Sequence, residues 1–175
     1  YGQKSREQKM SNILYIVVPC YNEQEVLPET SKRLREKVQT LRQSGKIDAD
    51  SRILFVNDGS KDATWEMIQK LHEENSVFSG VNLSRNRGHQ NALLAGIAVA
   101  VEHADMIVSM DADLQDDVDA MDRMIDAYEA GNDIVYGVRS SRQTRFLSAT
   151  RHSFFTGCFI SWGRRSCTIT RITGC

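Results

Sequence analysis

Proline is scarce in this chain, with Pro19 and Pro28 the only two in 175 residues, few for a complete loop-rich enzyme. No apolar run approaches the roughly 20 residues needed to cross a bilayer, which excludes a membrane-spanning helix from this sequence. The polar N-terminus and the short first apolar run, Ile13–Val18, carry no secretory signal. The expected location is therefore the cytoplasm, or the cytoplasmic face of a membrane. Four cysteines, Cys20, Cys158, Cys167 and Cys175, show no C-x-x-C spacing, which argues against structural zinc or a disulfide framework. Acidic residues are missing altogether beyond Asp133. Residues 1–133 hold 15 Lys and Arg against 23 Asp and Glu, whereas residues 134–175 hold seven Arg and no acid. Such a split can mark a basic tail for nucleic acid or anionic lipid, but the composition of this tail points elsewhere.

What is present reads as a folded core. The apolar fraction of 41% is ordinary for a soluble protein, and the length suits one domain. Short β-branched runs (Ile13–Val18, Arg52–Val56, Val77–Leu83, Met106–Met110 and Ile134–Tyr136) alternate with amphipathic stretches (Glu25–Leu41, Ala63–His72, Asn91–Val101 and Val118–Tyr128). This rhythm predicts an α/β fold with a mostly parallel sheet and helices on both faces. Asn22-x-x-Glu25 before Val26 and Leu27 has the form of a capping box, and Asp62 is placed to cap the second helix. Residues 1–9 are polar and patternless before Met10, as in a leader or an expression remnant.

Ligands of open α/β sheets bind at the carboxyl ends of the strands, and three motifs fall there. Val18-Pro19-Cys20-Tyr21-Asn22-Glu23 leaves the first strand. Val56-Asn57-Asp58-Gly59-Ser60, followed by Asp62, leaves the second, and Met110-Asp111-Ala112-Asp113-Leu114-Gln115 leaves the fourth. Together they predict a cleft lined by carboxylates, with Tyr21 offering an aromatic face. If the strand persists through them, Asp111 and Asp113 point to one side. Their mutual repulsion would be relieved by a hard cation, Mg²⁺ or Mn²⁺, shared with phosphate oxygens. A metal there could stabilise charge on a departing diphosphate. Each motif alone has a plainer reading. Asp-x-Asp can be a solvated turn, Asp58-Gly59 a common turn pair with its carboxylate in solvent, Asn22 and Glu23 helix caps, and Tyr21 packing. Their coincidence at one sheet edge favours the cleft.

V-P-C-Y-N-E, V-N-D-G-S-x-D-x-T, L-S-R-N-x-G-H-Q-N-A-L-L-A-G and M-D-A-D-L-Q-D-D, in that order, resemble family 2 glycosyltransferases of the GT-A type. The branch most similar holds dolichyl-phosphate mannose synthase and bacterial undecaprenyl-phosphate sugar transferases, enzymes of cell-wall or glycolipid biosynthesis. The resemblance covers about Ile13 to Arg142 and implies a Rossmann-like GT-A domain over residues 10–142. It implies that Pro19, Tyr21, Glu23, Val56 and Asp58 surround the base and ribose of a UDP- or GDP-sugar. Asp111, Asp113 and Gln115 would hold the Mg²⁺ or Mn²⁺ and the diphosphate, with Asp111 and Asp113 the catalytic acids of the D-x-D motif. Arg139 matches a basic position near the phosphates, and Ser84–Gly96 would flank the cleft. The implied reaction is inverting transfer of a hexose to an acceptor, polyprenyl phosphate or a saccharide; nucleic acid is not an expected partner. Full-length relatives are often membrane-associated. Arg87 stands where the family usually has an aromatic residue, and Val118 replaces the proline of L-Q-D-D-P.

The rhythm fails after Arg142, and residues 143–175 read as an aberrant basic tail. Family members continue with segments like D-T-F-F-K-R and, later, Y-N-H-A-D-Y-R-L. In a frame in which each codon takes the last base of one residue's codon and the first two of the next, Ser161–Cys175 can encode L-G-A-E-V-V-Y-N-H-A-D-Y-R-L. Gln143–Ala149 can likewise encode D-T-F-F-K-R. A one-base slip near Gln143 explains the missing acids, the surplus Arg, Ser, Thr and Cys, and the lost periodicity together, whereas a lipid- or RNA-binding tail explains only the charge. On this reading the tail has no matched apolar stripe and the acceptor side of the cleft is lost. A non-catalytic nucleotide-binding fragment or interaction module is therefore the standing alternative. A nicotinamide-binding oxidoreductase is disfavoured, because the first strand runs into Pro19-Cys20-Tyr21-Asn22-Glu23 instead of G-x-G-x-x-G.

Overall fold

A computed structural model describes residues 12–113, 117–137 and 167–171. The chain runs β1 (Leu14–Cys20), α1 (Leu27–Gln43), β2 (Arg52–Asn57), α2 (Thr64–Glu74) and β3 (Phe78–Asn82). It continues through α3 (His89–Ala100), β4 (Met106–Ser109), α4 (Ala120–Glu129), β5 (Ile134–Gly137) and β6 (Cys167–Arg171). The strands form one sheet in the order β3-β2-β1-β4-β6-β5, and every pairing in it is parallel.

β1 lies inside the sheet and is buried on both faces, which is why its sequence is apolar without alternation. Leu14, Ile16 and Val18 face a core built with Leu27, Leu34, Val38 and Leu41 of α1, Ile68 of α2, and Met121, Met124 and Ile125 of α4. Val17, with Leu54, Val56 and Ile107, faces Ala92, Ile97 and Ala100 of α3. On that second face α3 lies close to the strands because Gly96 has no side chain. A Cβ there would come within 2.4 Å of Val17 Cγ1 and 2.7 Å of Val56 Cγ2.

Three local expectations are not met. The capping box does not form. Asn22 takes a left-handed conformation, φ 56°, and its Oδ1 accepts the Lys61 N–H at 2.9 Å across the sheet edge. α1 begins two residues later than expected, at Leu27 with Pro28 in its first turn and no side-chain cap; asparagine tolerates φ > 0, and its amide finds a tertiary partner instead. β4 ends at Ser109, so the strand does not persist through Asp111 and Asp113. Finally, Cys167–Arg171 occupies the slot between β4 and β5, although residues 143–175 read poorly as part of the same fold. The β-branched run Thr168-Ile169-Thr170 suits that slot. The remainder of residues 143–175 lies outside the described residues, as do residues 1–9.

Candidate functional site

The loops leaving β1 and β2 are stitched together by side chains reaching for backbone. The Asp58 N–H donates to Cys20 O at 2.9 Å, and the Asn22 N–H donates to Ser60 Oγ at 3.0 Å. Thr64, fully buried at the head of α2, accepts the Glu23 N–H on its hydroxyl at 2.9 Å and donates that hydroxyl to Asp62 Oδ1 at 2.6 Å. Asp62 also accepts the N–H of Thr64 at 3.0 Å and of Gln24 at 3.2 Å. Burial works to raise the Asp62 pKa, but these hydrogen bonds from Thr64 and Gln24 outweigh it and lower it. Asp62 is not the N-cap of α2, which is Ala63 without a side-chain cap; one residue earlier, it ties Thr64 in the first turn to the β1 loop.

Asp58 differs from its expected solvent-facing turn. It is 2% exposed, with Oδ1 accepting the Arg87 N–H at 2.6 Å and Oδ2 the Gly88 N–H at 2.9 Å. The carboxylate therefore shapes the loop after β3, which passes close under β2. Gly59 has φ 64°, and a Cβ on it would sit 2.5 Å from the Arg85 carbonyl carbon. Asn57, 2% exposed, adds a bond from Nδ2 to Asn82 Oδ1 at 2.8 Å and accepts the Ser60 N–H at 3.2 Å.

Carboxylates gather at this edge. The Glu23 pKa is raised first by burial, then by repulsion from Asp113, Asp62 and Asp111, which sets all four acids around one region of excess negative charge. Asp111 also faces His89 at the start of α3, with 3.6 Å between Oδ1 and Nε2. The Cys20 thiol beneath is pushed up by burial and by Glu23, so it stays a protonated core group. A cleft of about 530 Å³ opens at Glu23 and Asp62, lined by Asn22–Val26, Lys61 and Asp62, with Asp111 and Asp113 outside its lining.

The expected ligand-facing residues divide in two. Tyr21 is 40% exposed, and Glu23, Asp111 and Asp113 reach the surface at the same edge. Pro19 is buried, and Val56 is fully buried in the core beneath α3, so the Val56 side chain serves packing. Gln115 and Arg139 lie outside the described residues. Asn57, Ser60, Asp62 and Thr64 were not singled out as site residues, although V-N-D-G-S-x-D-x-T contained them; their work is to build the edge.

A divalent cation fits this donor set by charge. Among the described residues, no three His, Cys, Asp or Glu side chains converge as a complete ligand group. Two carboxylates shared with diphosphate oxygens, however, are a usual arrangement for Mg²⁺ or Mn²⁺.

Known proteins match both the fold and the sequence. Two solved structures share the fold. The crystal structure of S. aureus TarS 1-349 superposes with a TM-score of 0.55 at 16% identity, over 75% of this chain and 38% of that one. The mannosyltransferase PcManGT from Pyrobaculum calidifontis, in complex with GDP-Man and Mn2+, gives a TM-score of 0.53 at 19% identity, over 75% and 37%. The architecture is therefore an α/β GT-A fold. The profile of "Glycosyl transferase family 2" matches residues 15–173, and the chain belongs to that enzyme family. The uncharacterized glycosyltransferase YkoT of Bacillus subtilis (strain 168) is 49% identical over 132 residues, 75% of this chain and 39% of the relative. The bactoprenol glucosyl transferase of Shigella phage SfV is 37% identical over 131 residues, 74% and 39%. The chain thus spans about two fifths of the length of these relatives.

Proposed function

We propose that this chain carries the donor half of a glycosyltransferase that moves a hexose, with inversion, from a UDP- or GDP-sugar to polyprenyl phosphate. The observation that carries the reading is that Glu23, in the loop after β1, and Asp111 and Asp113, after β4, lie at the carboxyl edge of the sheet close enough to repel one another. Tyr21 supplies an exposed face for the base, and Asp111 and Asp113 would hold Mg²⁺ or Mn²⁺; the resemblance adds Gln115 as a ligand and Arg139 as a basic residue for the phosphates, both outside the described residues. The metal, when bound, neutralises charge on the departing diphosphate. The similarity to a bactoprenol glucosyl transferase supports a lipid phosphate acceptor over a saccharide. An acceptor phosphate is already anionic and needs little help from a base. Among the described residues no helix is long and apolar enough to cross a membrane. The resemblance, and not that absence, is what supports a reaction at the cytoplasmic face of a membrane.

The deciding experiment is calorimetry of UDP and of GDP binding to the chain, with and without Mn²⁺, beside Asp113→Asn. Loss of the metal-dependent increment in the variant is expected. In an enzyme carrying the family's continuation, turnover should fall by roughly 10²-fold or more, the scale for removing one preorganised electrostatic stabiliser. Equal metal dependence in wild type and Asp113→Asn refutes the assignment.

Residues 143–175 we read as translated from a slipped frame. The shifted-frame match to D-T-F-F-K-R and Y-N-H-A-D-Y-R-L supports this, and it makes a non-catalytic nucleotide-binding chain the second reading. Sequencing the gene around codon 143 tests the slip. Sugar-transfer assays on this chain beside a frame-restored one separate the two functions.

A further inference from the structure

The two acids of the Asp111-Ala112-Asp113 turn lie beyond the last ladder bond of β4. β4 ends at Ser109, and the Met110 N–H still donates to Val17 O at 3.0 Å. Beside the Asp111–His89 contact, a further long-range tie at this turn comes from α1. Thr30, in the first turn of α1 and 1% exposed, lies with Oγ1 2.6 Å from Ala112 O, 82 residues away in sequence. A second carbonyl, Val26 O one turn earlier in the chain, lies 3.0 Å from the same oxygen. A hydroxyl has one proton to donate, and the shorter contact assigns it to Ala112. The clamped residue is itself 4% exposed, so its carbonyl has little water to turn to. The same stretch carries the chain out of the β1 loop, where Glu23 O accepts the N–H groups of Val26 at 3.1 Å and Leu27 at 2.9 Å. One turn of helix thereby joins the Glu23 loop to the peptide between the two aspartates.

We propose that Thr30 is a positioning residue for the metal-holding pair: its hydroxyl fixes the Ala112 carbonyl and so sets the direction in which Asp111 and Asp113 leave the turn. The inference rests on the reading of that pair as metal ligands. Valine at position 30 keeps the shape and puts a methyl group where the carbonyl needs a donor. The turn must then shift or leave Ala112 O unsatisfied, which costs the pair its register and leaves the nucleotide face of Tyr21 and Glu23 in place. Serine keeps the donor.

The test uses the full 175-residue chain and its Thr30→Val, Thr30→Ser, Thr30→Ala and Asp113→Asn variants. Titrations with Mn²⁺ in the presence of UDP, and separately GDP, give the metal affinity; nucleotide titrations without metal and melting curves accompany them. Thr30→Val is expected to weaken Mn²⁺ binding roughly five- to thirtyfold, the scale of one buried hydrogen bond. Metal-free nucleotide affinity should stay within about twofold by the same positional argument, and Thr30→Ser should restore the metal affinity. Thr30→Ala, which cannot overpack, carries the test if Thr30→Val does not fold. A purely structural role would lower metal-free and metal-dependent binding together, or would leave Thr30→Ser as defective as Thr30→Val, and either result overturns the proposal. If Asp113→Asn loses metal dependence while the hydroxyl-free variants keep it, the clamp is wrong and the metal reading stands. If Asp113→Asn itself keeps it, the metal reading fails and the clamp with it.

Discussion

Asp58→Ala should unfold the loop after β3 and destabilise the whole domain, contrary to what a solvent-facing turn carboxylate would do. Each Asp58 oxygen accepts one main-chain amide, from Arg87 at 2.6 Å and Gly88 at 2.9 Å, and the carboxylate is 2% exposed. Hydrogen bonds to a charged group contribute about 1.5–3 kcal/mol each, and a buried donor left without a partner costs a similar amount. The two bonds share one carboxylate and one loop, so their effects overlap, and about 2–4 kcal/mol is expected in all. For a domain of this size, with roughly 3–4 °C per kcal/mol, the melting temperature should fall by about 6–16 °C. Urea unfolding followed by the fluorescence of Trp65, which packs against β3 beside Gly80, gives the free energy directly. Trypsin gives the local counterpart, because Arg85 and Arg87 are exposed in the loop that Asp58 holds. In the variant, cleavage there should begin while the sheet still resists. A shift under about 2 °C with an unchanged tryptic pattern would refute the reasoning. It would mean that the loop keeps its shape without the carboxylate.

Gly96→Ala should destabilise by about 1–3 kcal/mol, read in the same urea titration, because its new methyl meets Val17 and Val56 at under 3 Å. A neutral effect would mean that α3 lifts off the sheet at no cost. Lys37→Met should show a stability deficit that depends on pH at both ends. Burial works to lower the Lys37 pKa, but hydrogen bonds to Asp119 and Asp122 leave it raised above 10.5, so its share is lost as pH rises through that raised value. The Asp119 pKa is lowered below 3.8, first by its hydrogen bond from Lys37, so its share is lost as pH falls through that lowered value. The gap between wild type and variant should therefore be flat through neutral pH and close toward both extremes; a constant gap in melting temperature would assign the effect to packing alone. Both are independent of any ligand.

The alternation of β-branched runs with amphipathic stretches located β1 to β5 and α1 to α4 to within a few residues, because burial on a sheet imposes its period directly on the sequence. The four ordered motifs fall where the structure ends β1, β2 and β4 and begins α3, for a related reason: strand ends and turns need particular residues. What local pattern did not carry were partners chosen across the fold. Asn22 looked like a cap and instead accepts the Lys61 amide, 39 residues on. Asp58-Gly59 has the letters of an ordinary turn, yet its carboxylate points inward to Arg87 and Gly88. Thr30 has no local signature at all, since a threonine in a first helical turn reads as surface until Ala112 arrives beneath it. The strand at Cys167–Arg171 was hidden by the foreign composition around it, although five residues with a β-branched centre are enough to fill a gap between two strands.

The distances along the chain between these ties also order the assembly of the domain in time. The Glu23–Thr64 bond spans 41 residues, and the bonds of Asn22 to Ser60 and Lys61 span 38 and 39. The Thr30–Ala112 bond spans 82, and β4 must travel past β2, α2, β3 and α3 to pair with β1. Contacts that close shorter loops form sooner, and a chain emerging from the ribosome exposes its N-terminal part first. The β1–α1–β2–α2 unit, with the Tyr21–Glu23 loop already tied to the head of α2, can therefore settle while residues beyond β3 are still being made. The aspartate pair comes to that unit late. A chain interrupted before β4 would carry a formed cleft wall and none of the Asp111–Asp113 charge, so fragments ending near residue 90 and near residue 115 should resist protease alike over the β1–β2 region; a β1–β2 region protected only in the longer fragment would refute this order.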